Sequence, residues 1–236
     1  MRQRTAHPVI LVVCLAALGC GERAPQVAEF PPDARAASKT FRKGDLAAAR
    51  DQYQTLLKDA RQRQDAEAER GALMGLARAQ ACLGEKAAAE RSYEELWRTR
   101  TAAVGAGDLS LYWDALGSGL AYSALGNAAR ARESFQRAVR ALDDAPEKQK
   151  WFADAQLFPR WMMLRAGDAS QEAAVRAGVR ESRGKYSFVV LGYLKVEKGN
   201  MKVCGWNRQI ADIEAFARDL GFDQNPFWQF QAPPEG

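Results

Sequence analysis

Three stretches of the chain, FRKGDLAAARDQYQTLL (residues 41–57), ACLGEKAAAERSYEELW (81–97) and SALGNAARARESFQRAV (123–139), can be laid over one another without a gap. The fourth residue of each is a glycine: Gly44, Gly84 and Gly126, spaced 40 and 42 residues apart. Five residues further on stands an alanine (Ala49, Ala89, Ala131), and nine further on an aromatic (Tyr53, Tyr93, Phe135). Twelve further on comes Leu56, Leu96 or Ala138. Recurrence at fixed offsets is the mark of a repeat architecture and carries more weight than any single motif.

Each column has a physical reading. The glycine supplies the left-handed residue that a tight turn between two helices requires. The alanine lets the following helix approach a neighbour closely. The aromatic and the leucine continue the same buried stripe at i+4 and i+7 from the alanine. Apolar helical patterns precede the turns, as in GALMGLARAQACL (71–83) and LYWDALGSGLAYSAL (111–125). Small residues Ala77 and Gly119 stand seven places before their glycines, which favours a close helix crossing.

This pattern resembles the tetratricopeptide repeat, a helix-turn-helix unit with small residues in these columns. The resemblance is strong over about residues 33–145 and implies an all-α fold, a right-handed solenoid of helical hairpins over 33–183. The period departs from the family's, being near 41 rather than roughly 34, so each unit carries extra helical turns or a longer connection. The first unit lacks large residues in its leading helix. Gly167-Asp168 suggests a fourth unit, 41 residues after Gly126, but Pro159 interrupts its first helix. Glu172 and Arg176 also stand where alanine and an aromatic belong. That unit reads as a degenerate terminal cap.

Solenoids of this kind use the surface built by the first helix of each unit to hold peptides or helices. By column, the resemblance places Met74, Arg78, Cys82, Trp113, Leu116 and Leu120 on that partner-binding surface. The alternative for Leu116 and Leu120 is that they are core.

After Gly184 the composition turns β-branched and aromatic: KYSFVVLGYLKVEKGNMKVCGW. Leu194 and Val196 alternate with Lys195 and Glu197, and Met201 and Val203 flank Lys202. The favoured expectation is a β-hairpin turning at residues 198–200, making residues 184–236 a small α+β cap. The rival expectation is a further helix, because Leu191, Gly192 and Gly199 match repeat columns. Ile210, Ile213, Phe216, Ala217 and Leu220 form a helical stripe ending at Gly221. Lys195, Lys198 and Lys202 belong to a basic cluster over 176–208, read either as a solvated face or as a patch for an acidic partner or anionic lipid. Phe227, Trp228 and Phe230 near the C-terminus read as a lid or as a binding anchor.

At the other end, Arg2 and Arg4 precede an apolar run from Pro8 to Leu18, an n-region and h-region of secretory type. Ala17-Leu18-Gly19-Cys20 resembles the lipobox of bacterial lipoproteins, which implies a signal peptide over 1–19 and acylation of Cys20. Ala17 and Gly19 also fit an ordinary cleavage site, which would give a soluble exported protein. Gly21 is not the aspartate that retains such proteins on the inner membrane, so the expectation is the periplasmic face of the outer membrane. Residues 20–32 then form a short tether.

Composition narrows the chemistry. The chain has one histidine, His7, inside that leader. A mature chain without histidine has no Ser-His or Cys-His nucleophilic pair and no His-ligated metal site. The formal charge of +5 falls to +3 when Arg2 and Arg4 leave, too mild to argue for nucleic acid. Inert buried thiols are the default for Cys82 and Cys204, with a disulfide the alternative that export permits. The expectation is therefore a non-enzymatic scaffold without cofactor or metal, anchored to a membrane by lipid. It would hold a protein partner, in the manner of lipoproteins that assist secretins, pili or barrel proteins. An envelope-glycan enzyme or its activator is the alternative, as is a repeat stalk carrying a separate C-terminal module.

Overall fold

A computed structural model describes residues 32–105, 107–145, 154–186 and 188–222. The expected leader, Cys20, most of the tether and the aromatic tail with Phe227, Trp228 and Phe230 lie outside the described residues. Among those described, the chain is all helical: α1 (Pro32–Arg42), α2 (Leu46–Arg63), α3 (Ala66–Cys82), α4 (Lys86–Val104), α5 (Leu109–Ala124), α6 (Ala128–Asp143), α7 (Leu157–Arg165), α8 (Glu172–Ser182), α9 (Phe188–Cys204) and α10 (Asn207–Asp219). No described helix is long and apolar enough to cross a membrane.

The helices pair as five hairpins. Gly44, Gly84, Gly126, Gly167 and Gly205 stand at the five hairpin turns, all with φ between 69° and 90°. Four turns close with the same backbone bond, from the residue after the glycine to a carbonyl five residues back: Glu85 to Gln80, Asn127 to Tyr122, Asp168 to Met163 and Trp206 to Met201. This closure satisfies a carbonyl that the helix end would otherwise orphan. In three of the hairpins the residue after the glycine is also a cap. The side chains of Asp45, Asn127 and Asp168 accept from backbone N–H groups at the start of the next helical segment. Turn and cap are thus written in adjacent letters.

The column residues fill the contacts between helices. Ala49, Ala89 and Ala131 are buried, with Tyr53, Tyr93 and Phe135 beside them. The Phe135 ring lies over Gly119, where a Cβ would stand 2.5 Å from Cε1, and the Tyr53 ring covers Gly75 in the same way. Glycine on one helix receives the aromatic of another.

Two expectations are corrected. Residues 188–204 form one helix, α9, and not a β-hairpin. The residues that seem to alternate have helical spacing: Val190, Leu194, Glu197 and Met201 share a buried arc while Val189 and Val196 face out. Pro159 does not interrupt its helix, because it is the third residue of α7, where backbone N–H groups have no intrahelical partner to lose. The degenerate fourth unit is an intact hairpin whose second helix has Glu172 and Arg176 on its exposed side.

The fifth hairpin turns back onto the earlier ones. Helix α9 contacts α1, and α10 packs on α5 and α7. Phe216 of α10 is the hub of an aromatic cluster, with ring centroids 4.9 Å from Phe158, 5.4 Å from Tyr186 and 5.7 Å from Trp161.

These glycine environments give opposite expectations for one substitution. Gly119→Ala drives a methyl into Phe135 and should cost about 1–3 kcal/mol. Gly192→Ala, in α9 with nothing within 4 Å of the new atom, should stabilise by about 0.5–1 kcal/mol. Urea denaturation of the two variants checks the pair, and shifts of the same sign would contradict the packing.

Candidate functional site: the face shared by α1, α3 and α5

The first helices of the first three hairpins form the face that the repeat columns single out. On α3, Arg70, Met74, Arg78 and Cys82 recur every fourth residue and so line one side of the helix. On α5 the facing residues are Trp113, Asp114 and Gly117.

Helix α9 is laid against this face and held at three levels. Tyr193 stacks against Trp113 with ring centroids 4.7 Å apart, and its hydroxyl donates to the Trp113 carbonyl at 3.3 Å. Gly117 leaves room for that hydroxyl. One turn further, Arg78 Nη2 meets Glu197 Oε1 at 2.7 Å, with Glu197 only 6% exposed. At the end of both helices a disulfide joins Cys82 to Cys204, with Cα atoms 4.8 Å apart across 122 residues of sequence. Inert separate thiols, the default expectation, are therefore corrected to a bridge. In the chain-entropy account, closing a loop of that length removes denatured-state freedom worth about 4–5 kcal/mol.

The predicted residues sort accordingly. Leu116 and Leu120 are core, at 0% and 1% exposure. Trp113 is half-buried under Tyr193, and Arg78 and Cys82 are engaged by α9. Met74 is half-buried and lines a cavity of about 290 Å³ left beside α9. Of the basic cluster, Lys202 is exposed and Lys195 half-buried. Lys198 is a correction: its place in the inner arc of α9 buries it to 5% exposure, with Nζ 3.1 Å from Glu214 Oε1.

Sequence reasoning missed the ionic centre behind this face. Arg70 grips Asp114 with two nitrogens, Nη2 to Oδ1 at 2.8 Å and Nε to Oδ2 at 3.1 Å. Arg100, 5% exposed, pairs with Glu67 at 2.7 Å, donates to Ser110 at 2.6 Å and places Nε 3.6 Å from Asp114 Oδ2. This ties α3, α4 and α5 together. Burial pushes the Asp114 carboxyl up from its ordinary value, against the pull of Arg70 and Arg100. Burial likewise raises the Tyr193 phenol well above the ordinary tyrosine value, with the Glu197 carboxylate adding to the rise. The signal for this centre was a lone carboxylate, Asp114, inside the apolar run LYWDALGSGL. No group of three potential ligands suited to a metal ion occurs among the described residues.

Comparison with known proteins adds no relative: no family model, no curated protein and no solved structure matches this chain.

The Arg78–Glu197 pair can be tested by removing one partner. Glu197→Ala leaves the half-buried Arg78 guanidinium without its carboxylate and should cost about 1.5–3 kcal/mol. Removing the exposed Arg176, paired with Glu172 on α8, should change stability by less than about 1 kcal/mol. Equal losses in chemical denaturation would show that α9 is not seated by this pair.

Proposed function

We propose that this protein is an interaction scaffold of the bacterial envelope, anchored by lipid at Cys20 to the periplasmic face of the outer membrane. Its hairpins stack as a tetratricopeptide-like solenoid and hold a protein partner, a component of an assembling envelope complex such as a secretin, pilus or barrel protein. The lipobox resemblance supports the anchor, and the repeated hairpins support the scaffold.

The observation that carries the reading is the outward side of α9. With α1, α3 and α5 already covered, the docking face moves to the helix that covers them. Val189 and Val196 are 47% and 64% exposed. Gly192 lies between them, at spacings of 3 and 4 residues, with open space where a Cβ would stand. That spacing suits the seam of two packed helices, and Gly192 admits a partner backbone at close range. Lys195 and Lys202 border the seam, so an amphipathic partner helix with acidic flanks fits it.

The anchor and the docking face are separable in experiment. Cys20→Ala should move the protein from the membrane to the soluble periplasmic fraction, and an unmodified Cys20 in the intact mass of the wild type would refute the anchor. Val189→Glu with Val196→Glu should abolish crosslinking to the envelope partner while leaving helicity unchanged. Undiminished crosslinking in that double variant would remove α9 as the docking face.

A further inference from the structure

The cavity beside α9 has a chemistry that the scaffold reading does not use. It encloses about 290 Å³ between α1, α2 and α3, near the lower end of the size range of small-ligand sites. Arg35 and Arg42 from α1 and Arg70 and Arg78 from α3 line it, together with Ser38 and Tyr53. None of its described lining residues is a carboxylate. The two acids that pair with its walls, Asp114 with Arg70 and Glu197 with Arg78, are not among those residues.

The polar side chains of this wall are all hydrogen-bond donors. Each guanidinium offers a planar fork of N–H groups that matches the oxygens of a phosphoryl group. Tyr53 is buried, and it lines the cavity together with the Ser38 side chain. Arg70 and Arg78 are held at the back of the cavity by their ion pairs, which offset their charge and leave their remaining N–H groups as donors. Arg35 and Arg42 are exposed at its mouth. Positive charge at the rim raises the local concentration of anions and speeds their entry.

We propose that this cavity binds a phosphoryl group, carried either by a free small phosphate or by the headgroup of an anionic phospholipid. A phosphate monoester carries close to two negative charges at neutral pH, since its second pKa is about 6. It therefore answers a wall of several guanidiniums better than a monocarboxylate does. The volume also exceeds that of one phosphate ion, which leaves space for the ester substituent beside Met74 and Ala34.

The test uses the full chain carrying Cys20→Ala, so that no acyl anchor contributes. Calorimetric titration with inorganic phosphate and with glycerol phosphate should show saturable binding, and that of glycerol phosphate should tighten from about pH 5.5 to 7.5, as the monoester loses its second proton at a pKa of about 6. Arg35→Glu with Arg42→Glu should weaken binding at least tenfold, while the equal charge reversal Lys58→Glu with Lys86→Glu, outside the cavity lining, should leave it unchanged. Sedimentation with phosphatidic acid vesicles, whose headgroup is a phosphate monoester, against phosphatidylcholine vesicles, identifies the source. Vesicle binding that is lost in the Arg35/Arg42 variant assigns the headgroup, and binding of the soluble phosphates alone assigns the free ligand. Circular dichroism of both double variants checks that the helices persist. Three results would overturn the proposal: no binding of any phosphate at millimolar concentration, equal binding of acetate, or equal losses in the two charge-reversed variants.

Discussion

The buried contact between Arg78 and Glu197 sets the terms for the rest of the molecule. A buried carboxylate and a half-buried guanidinium hold each other in place, because removing either leaves the other uncompensated. The pair lies midway between an aromatic contact, Tyr193 on Trp113, and a covalent one, Cys82 to Cys204. Together these fix the rotation of α9 about its axis. That rotation decides which residues of α9 are core, which face the solvent and how much of the repeat face remains open.

One helix position has two effects. A 17-residue helix, α9, lies on the face shared by α1, α3 and α5, so this chain supplies that face's occupant. The residues on that helix that do not fit inward, Val189 and Val196, become the most exposed large apolar side chains among the described residues. Between α1, α2 and α3 lies a cavity lined by four arginines, of which Arg70 and Arg78 are ion-paired to Asp114 and Glu197. The proposed phosphate site is joined to α9 through Arg78, which lines the cavity and pairs with Glu197.

Much of this is legible in the letters. The glycine column marks three of the five hairpin turns and extends to Gly167, whereas the fifth turn falls at Gly205 and not at Gly199, the column's match, which lies inside α9. The alanine and aromatic columns name buried residues in each of the first three hairpins, and the stripe through Ile213, Phe216 and Leu220 names the core side of α10. Residues 188–204 mislead because the alternation samples only a few positions. Polar side chains at Glu197 and Lys198 look like a solvated turn, whereas partners elsewhere in the chain, Arg78 and Glu214, make their burial tolerable. Local pattern cannot register a partner 119 residues away. The disulfide is undecided in the sequence for the same reason, since spacing along the chain carries no distance in space. Pro159 shows a finer limit: the same residue stops a helix in its middle and is harmless in its first turn.

The most direct measurement is hydrogen exchange across α9, read by mass spectrometry on peptides spanning residues 188–204. If α9 is seated on α1, α3 and α5 as an integral part of the fold, its amides exchange through the same global opening as those of α3 and α5. Their protection should then match that of the α3 and α5 peptides. Exchange of α9 complete while α3 and α5 are still protected would mean that the face is open and that the chain does not supply its own occupant.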